Sequence, residues 1–238
     1  MQERDRIMSM LKSPFHQVKT RHGSSYGGDQ AWLPYKFLKS TGCGIISAAD
    51  VILHLQGVEE ISQEEYEAFA KKLWMNYLPV IPGFGMNGLM LMFGLNLYFK
   101  THKMPYMAYW NIFSRNMFLK IDRMISKDLP AILAIGPNFP LIWKKEKLTF
   151  YGKTNNGDYV PVTKIKAHFV TVTGREGEWI RISSWGKEYY FRVSEYREYV
   201  KKYSHSFVSN AIILQKKNKS CLLTLISKRD NIWSFRKK

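Results

Sequence analysis

The chain has 238 residues, 45% of them hydrophobic, and a formal net charge of +17. That is enough apolar material for one domain to bury a core without disulfide or metal staples. The two cysteines, Cys43 and Cys221, exclude a disulfide framework, and neither lies in a C-x-x-C pair of the kind zinc sites use.

The basic balance admits an anionic partner, whether nucleic acid, an anionic membrane surface or an acidic peptide, but says nothing about chemistry. The opening MQERDRIMSMLK has no continuous apolar run, so no secretory signal is read there and a reducing, cytoplasmic setting is expected. Residues 1–29 end in the turn-rich SSYGGD and read as an irregular segment, with the compact domain spanning 30–215.

In GCGIISAADVILHLQG nearly every position from Ile45 to Leu55 is apolar, the pattern of a core helix, with Ser40 or Thr41 as its cap and Gly57 as its stop. A second helix begins at Ser62, where Glu65 three residues on completes a capping box; Tyr66, Phe69, Leu73 and Tyr77 then recur at helical spacing. Leu78 to Phe99 carries no formal charge, but Pro79, Pro82 and several glycines break it, so it is read as a loop and a buried helix near 86–100 with no transmembrane segment. A further helix is expected over 114–128.

After Pro130 the period changes to that of strands: 131–135, 148–151, 168–173, 179–183 and 189–193, then a short helix over 194–202 and a closing strand over 207–214. Gly174 to Glu178 is read as the turn of a hairpin. Residues 216–238 set eight basic residues against Asp230 alone and read as a basic tail. The fold class is α+β, a helical N-terminal half and an antiparallel C-terminal half forming two lobes that meet at a cleft.

Cys43 stands at the start of the core helix, between Gly42 and Gly44. Unpaired amides and the positive end of the helix dipole favour a thiolate there and can bind an oxyanion. A thiol nucleophile needs a base. His54 lies on the same helix face but ~16 Å up the axis, whereas His168 opens a strand whose other residues on its face, Val170 and Val172, are apolar. His16, His22, His102 and His205 read as surface or packing residues. Pairing Thr173 with Trp179 sets His168 opposite Ser184; a one-residue slip brings Ser183 there but puts Val170 against Arg181, so alternation favours Ser184.

Together G-C-G-x-x-x-A-A, L-P-A-I-L-A-I-G, A-H-F-V-T-V-T-G and W-I-R-I-S-S-W-G, in this order over residues 40–200, resemble the papain-like cysteine peptidase superfamily. The nearest resemblance is to the branch of bacterial double-glycine leader peptidases and their stand-alone relatives. It implies a papain-like fold, a thiol peptidase or acyl-transfer activity on a peptide or protein substrate, Cys43 as nucleophile and His168 as base. The histidine's orienting group in that superfamily is Asn or Asp; here it is serine, Ser183 if W-G is aligned and Ser184 if alternation decides. The superfamily's oxyanion glutamine has no counterpart about six residues before the cysteine, where Phe37 stands, and Gln30 is the nearest substitute. No metal-ligand cluster or nucleotide fingerprint is present, so no cofactor is expected. The alternative is a papain-like module that has lost turnover and binds an anionic partner.

Overall fold

The structure is a computed structural model, and it describes residues 8–111, 116–141 and 143–217. The chain begins with β1 (Met8–Met10), β2 (Gln17–Thr20) and β3 (Gly23–Tyr26), then a 3-10 turn over Gln30–Trp32. Helices α1 (Lys36–Thr41) and α2 (Cys43–Leu55) follow, then β4 (Glu60–Ser62), α3 (Gln63–Asn76), α4 (Gly88–Thr101), β5 (Tyr106–Trp110) and α5 (Met117–Ile125). The remainder runs β6 (Ala131–Ile135), β7 (Leu148–Lys153), β8 (Tyr159–Ile165), β9 (His168–Glu176), β10 (Trp179–Ser184), β11 (Lys187–Arg192), α6 (Val193–Tyr203) and β12 (Ala211–Lys216).

This is the α+β class expected. One antiparallel sheet has the order β5-β12-β6-β9-β10-β11-β7-β8, with β1 added alongside β9, and a small sheet orders β3-β2-β4. The halves are not cleanly helical and stranded, because β5 from the first half pairs with β12 from the second.

Helix α2 is buried along almost its whole length and packs on β9, as its all-round apolar sequence requires. Its N-cap is Gly42 rather than Ser40 or Thr41, whose hydroxyls instead bond the Phe37 carbonyl of α1 at 2.8 and 2.6 Å. Gly57, at φ +72°, ends it as anticipated, and the capping box of Ser62 and Glu65 starts α3.

The hairpin of β9 and β10 is longer than the sequence pattern indicates. Its turn is Gly177-Glu178, with Glu176 opposite Trp179, so Gly174 lies inside the strand. A bulge between Arg181 and Ile182 then restores the face on which the apolar residues sit. Gly174 has a different reason to be glycine: β1 crosses it, and a Cβ there would lie 2.4 Å from the Met10 sulfur.

Residues 8–29, expected to be an irregular segment, contain β1, β2 and β3. β1 pairs with β9, and Ser9 bonds Asp122, whose other oxygen takes a buried ion pair from Arg175 at 2.8 Å. The amides of Lys12 and Ser13 donate to Asp128 at 2.8 and 3.0 Å. Deeper still, the Asp50 carboxylate of α2, 1% exposed, accepts from the Gly28 amide (3.0 Å), Tyr66 Oη (2.7 Å) and Ser183 Oγ (3.1 Å) and faces His16 Nε2 at 3.1 Å. His16 is thus a core residue. The basic tail falls, from residue 218 on, outside the described residues.

Replacing Asp50 with Ala strips the buried Gly28 amide and His16 Nε2 of this partner and leaves Tyr66 and Ser183 with only their backbone acceptors, which costs about 3 kcal/mol or more. Thermal unfolding monitored by circular dichroism is expected to show a Tm lower by roughly 6 °C or more; an unchanged Tm would remove the carboxylate from the list of anchoring groups.

Candidate active site

Four chain segments converge on one pocket wall. Gln30, Cys43, Ser47, His168, Ser184 and Trp185 all line it, with Ile46, Phe169 and Ser183. The pocket is narrow, about 10 Å³, room for roughly one water molecule.

Cys43 is the first residue of α2 and is half-buried. Of its flanking glycines, Gly42 is the one that sterics demand. Its φ of −86° suits any residue, but a Cβ there would lie 2.4 Å from Leu33 and 2.5 Å from the Leu38 carbonyl. At Gly44 a Cβ would make ordinary contact, 3.4 Å from Phe169 and from the Met86 sulfur. Gly42 therefore lets the α1–α2 junction close tightly, which fixes where the sulfur emerges.

Burial pushes the Cys43 thiol up from its ordinary value, and hydrogen bonding from the backbone of Phe169, Gly44 and Cys43 itself pulls the other way without winning. The sequence expectation of a thiolate at a helix N-terminus is therefore reversed in the resting protein. The dipole and amides are present, but the missing solvent outweighs them.

His168, 7% exposed, opens β9, and Ile135 of β6 lies opposite it. Its Nε2 is 2.8 Å from Ser184 Oγ, and its ring stacks on Trp185 with centroids 4.7 Å apart. Burial pulls its pKa down to about 3, so the ring is neutral. Ser184 reaches it diagonally rather than directly: with Ser183 opposite Thr171, β10 is two residues out of the register read from sequence, and an even shift keeps the same face.

Ser183 points the other way. Its hydroxyl bonds the Tyr26 carbonyl at 2.9 Å and Asp50 at 3.1 Å, so it braces the wall and does not touch the ring. Gln30 does come back over the helix start, where its Nε2 donates to the Lys39 carbonyl at 2.8 Å. That bond occupies one of the amide's two protons.

Trp185 went unrecognised in the sequence beyond its place in W-G. It sits at φ +49° before Gly186 at φ +67°, forming the two-residue turn between Ser184 and Lys187. Ala167, immediately before His168, is also left-handed at φ +52°. Two of the four positive-φ non-glycine residues among those described thus flank this one ring, the kind of stored strain that concentrates at working sites. The signal available in sequence was the W-G pair itself, a turn dipeptide closing a strand.

Thiol and imidazole share the pocket, but among the described residues no hydrogen bond joins them. Burial favours the neutral form of both groups. Among the described residues no cluster of three or more His, Cys, Asp or Glu is placed to hold a metal ion, and no helix is long and apolar enough to cross a membrane.

No protein-family model matches the chain, and no curated protein matches it. Among solved structures it is similar to a Bacillus anthracis protein provisionally described as a C39-like peptidase, at a TM-score of 0.49 and 17% identity, over 89% of this chain and 99% of that one.

Proposed function

We propose that the chain is a papain-like thiol peptidase or acyl-transfer enzyme acting on a peptide or amide bond through Cys43 and His168. One observation carries the reading: a helix-start cysteine and a strand-start histidine, 125 positions apart, line one pocket, and Nε2 of the histidine is engaged by Ser184. With Nε2 so held, Nδ1 is the nitrogen left to serve the thiol.

In the proposed reaction the Cys43 sulfur attacks the carbonyl carbon as its proton moves to His168, forming the C–S bond. Collapse of the tetrahedral intermediate breaks the C–N bond, and the imidazolium returns the proton to the departing amine. Water, or a second amine, then attacks the thioester and regenerates the thiol. The first amides of α2 and the second amide proton of Gln30 stabilise the oxyanion. Ser184 orients the ring through a neutral hydroxyl, which supplies no charge to an imidazolium. The reaction therefore runs from a neutral pair, and an acidic peptide suits the +17 chain.

A second reading is a papain-like module without turnover that binds an anionic partner such as nucleic acid or an acidic surface. It is favoured by the closeness of the pocket and by a ring partner, Ser184, that is a hydroxyl: among the described residues no carboxylate or carboxamide bonds His168. Screening against a fluorogenic peptide library separates the two: Cys43→Ala abolishes any cleavage, and His168→Ala lowers kcat by roughly a hundredfold or more. Cleavage by neither wild type nor variants, with salt-dependent binding to an anionic polymer, would favour the second reading.

Two further outcomes follow from the neutral pair. In a Cys221→Ser background, the iodoacetamide rate at Cys43 should keep rising as pH is raised beyond the ordinary thiol range; a plateau already reached at pH 6 would reveal a preformed thiolate and overturn the neutral-pair scheme. Ser184→Ala should lower kcat by about tenfold while KM changes little, since only ring orientation is lost; an unchanged kcat would dismiss Ser184 as the positioning residue.

A further inference from the structure

From Ala68 to Ile121 the sequence contains no aspartate or glutamate, while Lys71, Lys72, Lys100, Lys103, Arg115 and Lys120 all fall inside that stretch. Within it, α4 is apolar on every side and carries no charge before Lys100. A helix of that composition is normally enclosed by protein, yet here one side is open: Phe93 is 66% exposed and Leu97 50% exposed, one turn apart. Met75, at the end of α3, is 64% exposed beside them. The end of α3 crosses α4 at Gly94, where a Cβ would strike Leu78 and the Tyr77 carbonyl at 2.4 Å. The crossing leaves a groove of about 490 Å³ lined by Trp74, Met75, Tyr77, Phe93 and Leu97 among others, none of which lines the Cys43 pocket.

We infer that this ridge docks the protein on an anionic lipid bilayer, with Phe93, Leu97 and Met75 entering the boundary between headgroups and acyl chains. Single exposed apolar residues need no explanation, but a contiguous set rimmed by polar residues marks an interaction surface. Charge chooses the occupant. Lys71 and Lys72 precede Met75 by one turn on α3, Lys100 follows Leu97 by one turn on α4, and all three are exposed. Long lysine stems let the ammonium groups reach headgroup phosphates while the apolar residues sink, and each lysine near an anionic surface adds attraction. Trp74 and Tyr77 supply the amphipathic rings that favour the interfacial layer. A protein partner matched to this face would need its own acidic rim around an apolar centre, whereas an anionic bilayer presents both in one surface.

The test is vesicle flotation of the full chain with phosphatidylcholine alone and with phosphatidylcholine mixed with phosphatidylglycerol. Wild type is expected to float with the anionic vesicles and much less with the neutral ones, the double variant Phe93→Ser, Leu97→Ser to lose roughly tenfold or more in partitioning, and Lys71→Gln, Lys72→Gln, Lys100→Gln to lose the preference for anionic lipid. Phe93→Trp should retain binding, and the added indole's emission should shift to the blue on anionic vesicles. Equal flotation of wild type and the serine variant would assign binding to charge elsewhere and overturn the proposal. So would absence of flotation, or a lipid-free dimer that the serine variant converts to monomer.

Discussion

The Asp50 carboxylate is the point on which the site is built. It lies two turns along α2 from Cys43, and its oxygens gather the Gly28 amide, the Tyr66 and Ser183 hydroxyls and the His16 ring. These groups come from three parts of the chain: the N-terminal segment on either side of β2 and β3, α3, and the strand that carries Ser184. A buried carboxylate is costly without such partners. The same network that makes it tolerable therefore sets the distance between the helix bearing the sulfur and the sheet bearing the imidazole.

A second clamp acts at the turn. The Tyr26 amide donates to the Gly186 carbonyl and the Gly186 amide to the Gly28 carbonyl, both at 2.9 Å. The turn so gripped contains Trp185, whose indole supports the His168 ring, and follows Ser184, which holds the ring's other edge. Gln30 is two residues beyond Gly28 and swings over α2 by its bond to Lys39. One short N-terminal stretch thus places two walls of the pocket.

What could be read from residues alone followed from local rules. The all-apolar run after Cys43 demanded a buried helix, and alternation in β9 and β10 put Ser184 on the face of His168 even though the register was two residues out, because parity survives an even shift. The capping box at Ser62 was equally local. What escaped depends on partners far away in the chain. β1 and β2 are short and pair with β9 and β4 farther along the chain, and β3, although it pairs with its neighbour β2, is only four residues long, so no periodic signal marked them. His16 could be read no further than as a surface or packing residue for the same reason. The thiol's direction of shift was misjudged because a helix dipole is visible in sequence, whereas loss of solvent around Sγ depends on the packing of β9 and the α1–α2 junction.

The pairing of Met10 with Gly174 also bears on the order in which a nascent molecule can acquire its parts. β1 is held by residues made more than a hundred and fifty positions later. On the ribosome, α2 can form its hydrogen bonds early, but the strands that grip its far side must wait until β9, β10 and the Trp185 turn have emerged. Such distant closures slow folding, and until they occur Cys43 sits in open water with an ordinary acidity. The thiol is therefore most open to oxidation before β9 and β10 have been made, and it becomes shielded only when β9 packs on α2.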